Sequence, residues 1–206
     1  SDFEYLTLGT GYDGKGAGFD WSSEVALQFG SLGDKNISAY MVALSGGYLF
    51  KNHAMKPRIG FNWDLASGDN DPTDGKVNTF HQQFPLGHAY FGWADQVGRR
   101  NINAFSVQMS AKPSKLVTAK LNWFSFGLVE KKDALYNAGG KASRQDITGA
   151  SGRHIGTELD ALIAIKLNQH ASFQLGYAHF KPGEFVKNTG TSEAHNLIYL
   201  MVPITF

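Results

Sequence analysis

None of the 206 residues belongs to a run approaching the roughly 18 successive apolar residues that a membrane-crossing helix needs. The longest apolar stretches, 161–165 and 197–202, are the size of strands. What recurs is alternation of apolar and polar residues. Residues 194–206, AHNLIYLMVPITF, show it most plainly. Asn196, Ile198, Leu200, Val202, Ile204 and Phe206 fall on one face of an extended strand. Leu197, Tyr199, Met201, Pro203 and Thr205 fall on the other. A period of two with one continuous apolar face suits a strand that meets lipid on one side, or one leaf of a soluble sandwich.

The pattern returns in eight more segments. Residues 3–12 carry it weakly. In 19–29, Phe19, Trp21, Val25, Leu27 and Phe29 oppose Asp20, Ser22, Glu24 and Gln28. In 37–50, Tyr40, Val42, Leu44, Tyr48 and Phe50 share a face. In 58–66, Ile59, Phe61, Trp63 and Leu65 oppose Arg58, Asn62 and Asp64. In 102–111, Phe105, Val107 and Met109 oppose Ser106, Gln108 and Ser110. In 116–129, Val117, Ala119, Leu121 and Trp123 oppose Thr118, Lys120 and Asn122. In 157–168, Leu159, Ala161, Ile163, Ile165 and Leu167 oppose Glu158, Asp160 and Lys166. In 171–180, Phe173, Leu175 and Tyr177 oppose Gln174, Gly176 and Ala178. That makes about nine strands of the length a tilted membrane crossing requires. Sandwich strands run shorter, commonly about 5–6 residues.

The connections discriminate further. Short turns at 51–55, 112–115 and 168–170 alternate with long loops at 68–101 and 130–154 and an intermediate one at 183–195. Short on one side and long on the other is the arrangement of an outer-membrane barrel. The expected fold is therefore all-β: an antiparallel transmembrane β-barrel, one region over 1–206. Trp21, Trp63, Trp123, Tyr40, Tyr48 and Tyr177 would supply aromatic girdles at the interfaces. A closing aromatic, Phe206, resembles the C-terminal signal that the barrel-assembly machinery reads in the bacterial outer membrane. If the last strand runs toward the periplasm, the first starts on the outer side. Single-chain bacterial barrels have an even strand count and both ends periplasmic. Nine strands are thus expected to be the C-terminal part of a larger barrel.

Composition removes other classes. A net charge of +1 leaves no basic footprint for nucleic acid. With no cysteine there is neither a disulfide scaffold nor a thiolate metal site.

Several blocks resemble, in order, the alginate-export family of outer-membrane porins. They are FDWSSEVALQFG at 19–30, IGFNWDLASGDND at 59–71, DGKVNTFHQQF at 74–84, and HAYFGWADQVGRRN within 85–101. DALYNAGG at 133–140, IGTELD at 155–160 and YAHFKPGEFVK at 177–187 continue the series. The resemblance covers essentially the whole chain. It implies the C-terminal half of a barrel of about eighteen strands, in the outer membrane of a Gram-negative bacterium. It also implies passive passage of a hydrophilic, possibly anionic, solute or polysaccharide. A cationic lumen would select anions. The polar faces here are mixed instead. Arg58, Lys120 and Lys166 stand beside Glu24, Asp64, Glu158 and Asp160.

The expected pore-lining set is Glu24, Gln28, Arg58, Asn62, Asp64, Lys120, Asn122, Glu158, Asp160 and Lys166. The competing reading is a salt-bridged network that fills the barrel without selecting. Asp69, Asp71 and Asp74 could offer hard oxygen ligands to Ca²⁺, but Pro72 intrudes and no closing glutamate follows, so solvated turn residues are expected. No other cofactor is implied. Lys131, Lys132, Lys141, Arg144, Arg153, Arg99 and Arg100 lie in or beside the long loops and could bridge lipopolysaccharide phosphates or attract anionic solutes, with a solvated loop the default. A barrel hydrolase would need a nucleophile beside one of the seven histidines, and none stands out. The expectation is not an enzyme. A structural or adhesive barrel is the alternative to transport.

Overall fold

The computed structural model describes residues 3–205, with Ala89 described in its backbone only. Nine long strands run in simple succession: β1 (Phe3–Gly16), β2 (Phe19–Leu32), β3 (Lys35–Leu49), β4 (Arg58–Ala66), β6 (Ile102–Ala111), β7 (Val117–Leu128), β10 (His154–Lys166), β11 (Ser172–Pro182) and β12 (His195–Met201). Each pairs antiparallel with the next, so the sheet is a meander from β1 to β12. Among the described residues β1 and β12 share no ladder, and the sheet is open. Short pieces lie in the long connections. They are β5 (Lys76–Val77), the one-turn helix α1 (Gly87–Tyr90), β8 (Leu135–Tyr136), β9 (Ala142–Arg144) and α2 (Glu184–Asn188).

The strands fall where the alternation predicts them, with two extensions. β1 and β2 run on to Gly16 and Leu32, joined through Ala17–Gly18, where both residues have positive φ. The β2–β3 hairpin turns in two residues, Gly33 and Asp34. It is a short connection on the side that otherwise carries the long loops. The last strand stops early, at Met201. Pro203 has no N–H to give a ladder. Beyond it only Ile204 forms a bridge, to Ala171. Phe206 lies outside the described residues.

The two faces of the sheet differ in a way that inverts a soluble protein. Phe19, Trp21, Val25, Leu27, Phe61, Phe105, Leu121, Trp123, Ile163 and Ile198 stand exposed on the outer face. The buried core sits on the other face, at the loop end of the strands. Phe124, Phe126 and Leu128 of β7, Ile155 of β10 and Phe180 of β11 meet Phe80, Phe91, Val97, Leu135, Phe185 and Val186 from the loops there. β7 shows how one strand does both. Its inner parity is polar at Lys120 and Asn122 and turns apolar at Phe124. The loops therefore fold back onto the inner face instead of standing away from it.

Candidate functional site

The inner face of the sheet and the 67–101 loop laid across it form the candidate site. Three fastenings hold the loop. At its start, the Gln28 amide on β2 is fully buried. It donates to the His81 carbonyl (2.9 Å) and accepts the His81 N–H (2.7 Å). Tyr5 of β1 hydrogen-bonds His81 Nδ1 at 2.6 Å. At its far end, Arg99 Nη2 lies 2.6 Å from Asp64 Oδ1 on β4. In the middle, Ala94 N–H donates to Glu158 Oε1 (2.8 Å) and Trp93 N–H to Asp160 Oδ2 (3.2 Å), both on β10. The Trp93 ring stacks on Tyr199 of β12, 4.1 Å between centroids.

Beneath the loop lie two pockets. One, about 430 Å³, is walled by Arg58, Trp93, Gln108, Lys120, Asn122 and Asp160. The other, about 310 Å³, is walled by Glu24, Asn62, Asp64, Tyr90, Arg99 and Gln108. Nine of the ten residues expected to line a pore reach these pockets or the loop's contacts. Gln28 does so only through its clamp to His81, and the tenth, Lys166, is exposed at the turn end of β10. Arg58 is not a free cation. Its Nε donates to Asp20 Oδ2 at 2.8 Å, and Nη2 reaches the other carboxylate oxygen. Asn62 donates to Ser106 Oγ at 3.1 Å. Lys120 makes no ion pair among the described residues, so the pocket walls carry paired guanidiniums, one free ammonium and three acids.

A second network joins the long loops to each other. Asn101 is fully buried. Its amide donates to the Glu130 and Ala134 carbonyls, and its oxygen takes the Glu130 N–H. Asp133 accepts from Asp69 N–H, Thr79 hydroxyl, Ala134 N–H and Tyr136 hydroxyl. Burial pushes the Tyr136 hydroxyl up to about 12, which keeps it a donor.

The residues that the sequence reading missed are those on the loop: His81, Tyr90, Trp93 and Arg99. Arg99 and Arg100 are expected in a solvated loop, with lipopolysaccharide or an anionic solute as their other partners, yet Arg99 turns inward to Asp64. Arg100 lies over the Tyr136 ring and donates to the Gly140 carbonyl. Parity alone carries no information about a loop that doubles back. Arg144 likewise serves its own loops, donating to the Val186 and Thr191 carbonyls. Asp71 and Asp74 accept N–H groups of their own turn, from Thr73 and Lys76, and Asp69 accepts from Asp71. Among the described residues no group of three or more His, Cys, Asp or Glu is placed to hold a metal. His88 pairs with Asp95 at 2.8 Å, and no hydroxyl among the described residues bonds to it.

His81 gives the fastening a pH dependence. Burial, and secondarily Arg100, lowers its pKa from the ordinary value of 6.5. Between the lowered and ordinary values the unfolded chain binds more protons than the folded one. Loop stability is therefore full above about pH 6.5 and falls as the pH drops through that value. Amide exchange at Phe80 and His81, corrected for intrinsic rates, is expected to quicken from about pH 7.5 to about pH 5. His81→Asn should flatten the profile. Unchanged protection in the parent chain would remove His81 as the cause.

The sheet is thus an open, all-β antiparallel architecture with one exposed apolar face and one polar face across which its longest loop is bound. A family profile described as alginate export matches residues 1–200. The chain belongs to the alginate-export family, a transport family of outer-membrane barrels, not an enzyme family. No curated protein matches it.

Proposed function

We propose that the chain is the wall of an outer-membrane channel that passes a hydrophilic solute. The observation that carries this reading is the 67–101 loop bound across a polar inner face. Such a loop narrows a bore without filling it, and the pockets beneath it remain lined by ionic and amide groups. The free edges of β1 and β12 support completion of the barrel by further strands. An open edge of unpaired N–H and C=O groups has no partner in hydrocarbon.

Charge decides what such a bore prefers. Arg58 is neutralised by Asp20 and Arg99 by Asp64, so neither gives the wall a strong cationic field. Lys120 is the free cation facing the larger pocket. In planar bilayers the protein should conduct. Lys120→Glu should shift its anion-to-cation permeability ratio toward cations on the order of two-fold. Lys166→Glu, at the turn end, should shift it less. Conductance insensitive to Lys120 would retain the channel and discard this lining. No conductance, with the 67–101 loop present or deleted, would leave a structural barrel.

A further inference from the structure

The outer face of β2–β4 has a notch that the transport reading does not use. Trp21, Gly46 and Phe61 are cross-strand neighbours in one row, and Phe19, Tyr48 and Ile59 form the next row toward the turns. Gly46 contributes no side chain between two large rings, and the Trp21 ring lies over Gly14 on its other side. The result is a groove of about 810 Å³ floored by glycine and walled by Trp21, Phe61, Tyr48, Ile59 and Val107. Its walls are almost wholly apolar. Its lower end opens at the short turns.

Those turns are basic. Residues 50–57 read FKNHAMKP, 112–116 read KPSKL and 167–171 read LNQHA, with no carboxylate in any of them. Lys51, Lys56, Lys112 and Lys115 are exposed. None forms an ion pair among the described residues. The Lys112 N–H donates to the Met55 carbonyl at 2.8 Å, which holds two of the turns side by side. The long loops at the other end are mixed, with Asp69, Asp71, Asp74, Glu130 and Asp146 interspersed with Lys76, Lys131, Lys132, Lys141 and Arg153.

An apolar slot that ends beneath unpaired ammonium groups matches a molecule with an acyl chain and an anionic head. We propose that this groove seats one acyl chain of an anionic membrane phospholipid, with Lys51 and Lys56 holding its phosphodiester. A zwitterionic phospholipid is disfavoured, because its own ammonium competes with the lysines for the phosphate. The inference rests on the reading that the outer face meets lipid.

The test uses the protein reconstituted in vesicles, in two forms: one with Trp21 as its sole tryptophan and one with Trp123. The vesicles are phosphatidylcholine containing phosphatidylglycerol, with bromine on the acyl chains of one or the other lipid. Trp21 fluorescence should be quenched by brominated phosphatidylglycerol at roughly 25-fold lower mole fraction than by brominated phosphatidylcholine, since each of the two lysines near the membrane surface contributes about five-fold. Trp123 should not discriminate. Lys51→Glu with Lys56→Glu, a surface change, should abolish the preference and leave quenching by phosphatidylcholine. Gly46→Leu should weaken quenching of Trp21 by either lipid. Equal quenching of Trp21 by both lipids would overturn the site and keep the lipid-facing assignment. A preference that survives the lysine reversals would overturn the headgroup assignment. Absence of quenching at both tryptophans would overturn the membrane reading itself.

Discussion

Asp64→Ala is expected to cost about 3 kcal/mol and to free the far end of the inward loop. The carboxylate is 7% and the Arg99 side chain 15% exposed. The guanidinium also lies 4.9 Å from the Tyr90 ring centroid and 5.5 Å from that of Phe91. Removing the acid strands a cation against aromatic faces, with only Glu24 across the same pocket to offset it. An orphaned partner of this kind is costlier than the pair is stabilising, because desolvation is no longer offset. Urea unfolding of the reconstituted protein measures the loss. Asp64→Leu combined with Arg99→Met should recover most of it, since apolar replacements of similar volume are often neutral. Single-channel conductance of Asp64→Ala should rise, as the loop leaves the bore. A change below about 0.5 kcal/mol would mean that water screens the pair as it screens a surface bridge, and that the loop is held elsewhere.

The strands were legible because a membrane-crossing strand has to repeat its apolar parity for its whole length. Phe19, Trp21, Val25, Leu27 and Phe29 cannot be read as a helix face, and the nine segments fall within a few residues of the observed strands. The inner-face residues followed from the same parity. The loop was not legible. Residues 67–101 hold Gly, Asp, Pro and His in no period, and their backbone groups are satisfied by single side chains far away: Gln28 for His81, Glu158 for Ala94, Asp133 for Asp69. Such pairings leave no local trace in one sequence. One signal was present. The inner parity of β7 changes from Lys120 and Asn122 to Phe124, Phe126 and Leu128, and a strand that becomes apolar on both faces is covered on both. The outer face is covered by lipid in the proposed setting, and the inner face by its own loops. The charge reading shifted for a related reason. Parity puts both Arg58 and Asp20, 38 residues apart, on the polar face, but only the register of β2, β3 and β4 sets them side by side.

Gly92→Ala is expected to cost about 3 kcal/mol, the second large effect, and a different glycine separates its two causes. Gly92 has φ +86, where an L side chain is strained by about 1–2 kcal/mol. An added Cβ would also overlap the carboxylate of Glu158, which is 1% exposed and takes the Ala94 N–H. Moving that carboxylate breaks the bond and leaves a buried N–H unmet, at about 1–3 kcal/mol. Gly75, in the same loop, has φ +77 and nothing within 4 Å of its Cβ position. Gly75→Ala should therefore show the strain alone. The difference between the two substitutions isolates the contact with β10. Glu158→Ala removes the obstacle, so Gly92→Ala with Glu158→Ala should cost less than the sum of the single changes by about 1 kcal/mol or more. Strict additivity, or equal losses at Gly75 and Gly92, would show that the loop does not rest on Glu158, and the middle fastening would have to be sought at the stacked rings of Trp93 and Tyr199.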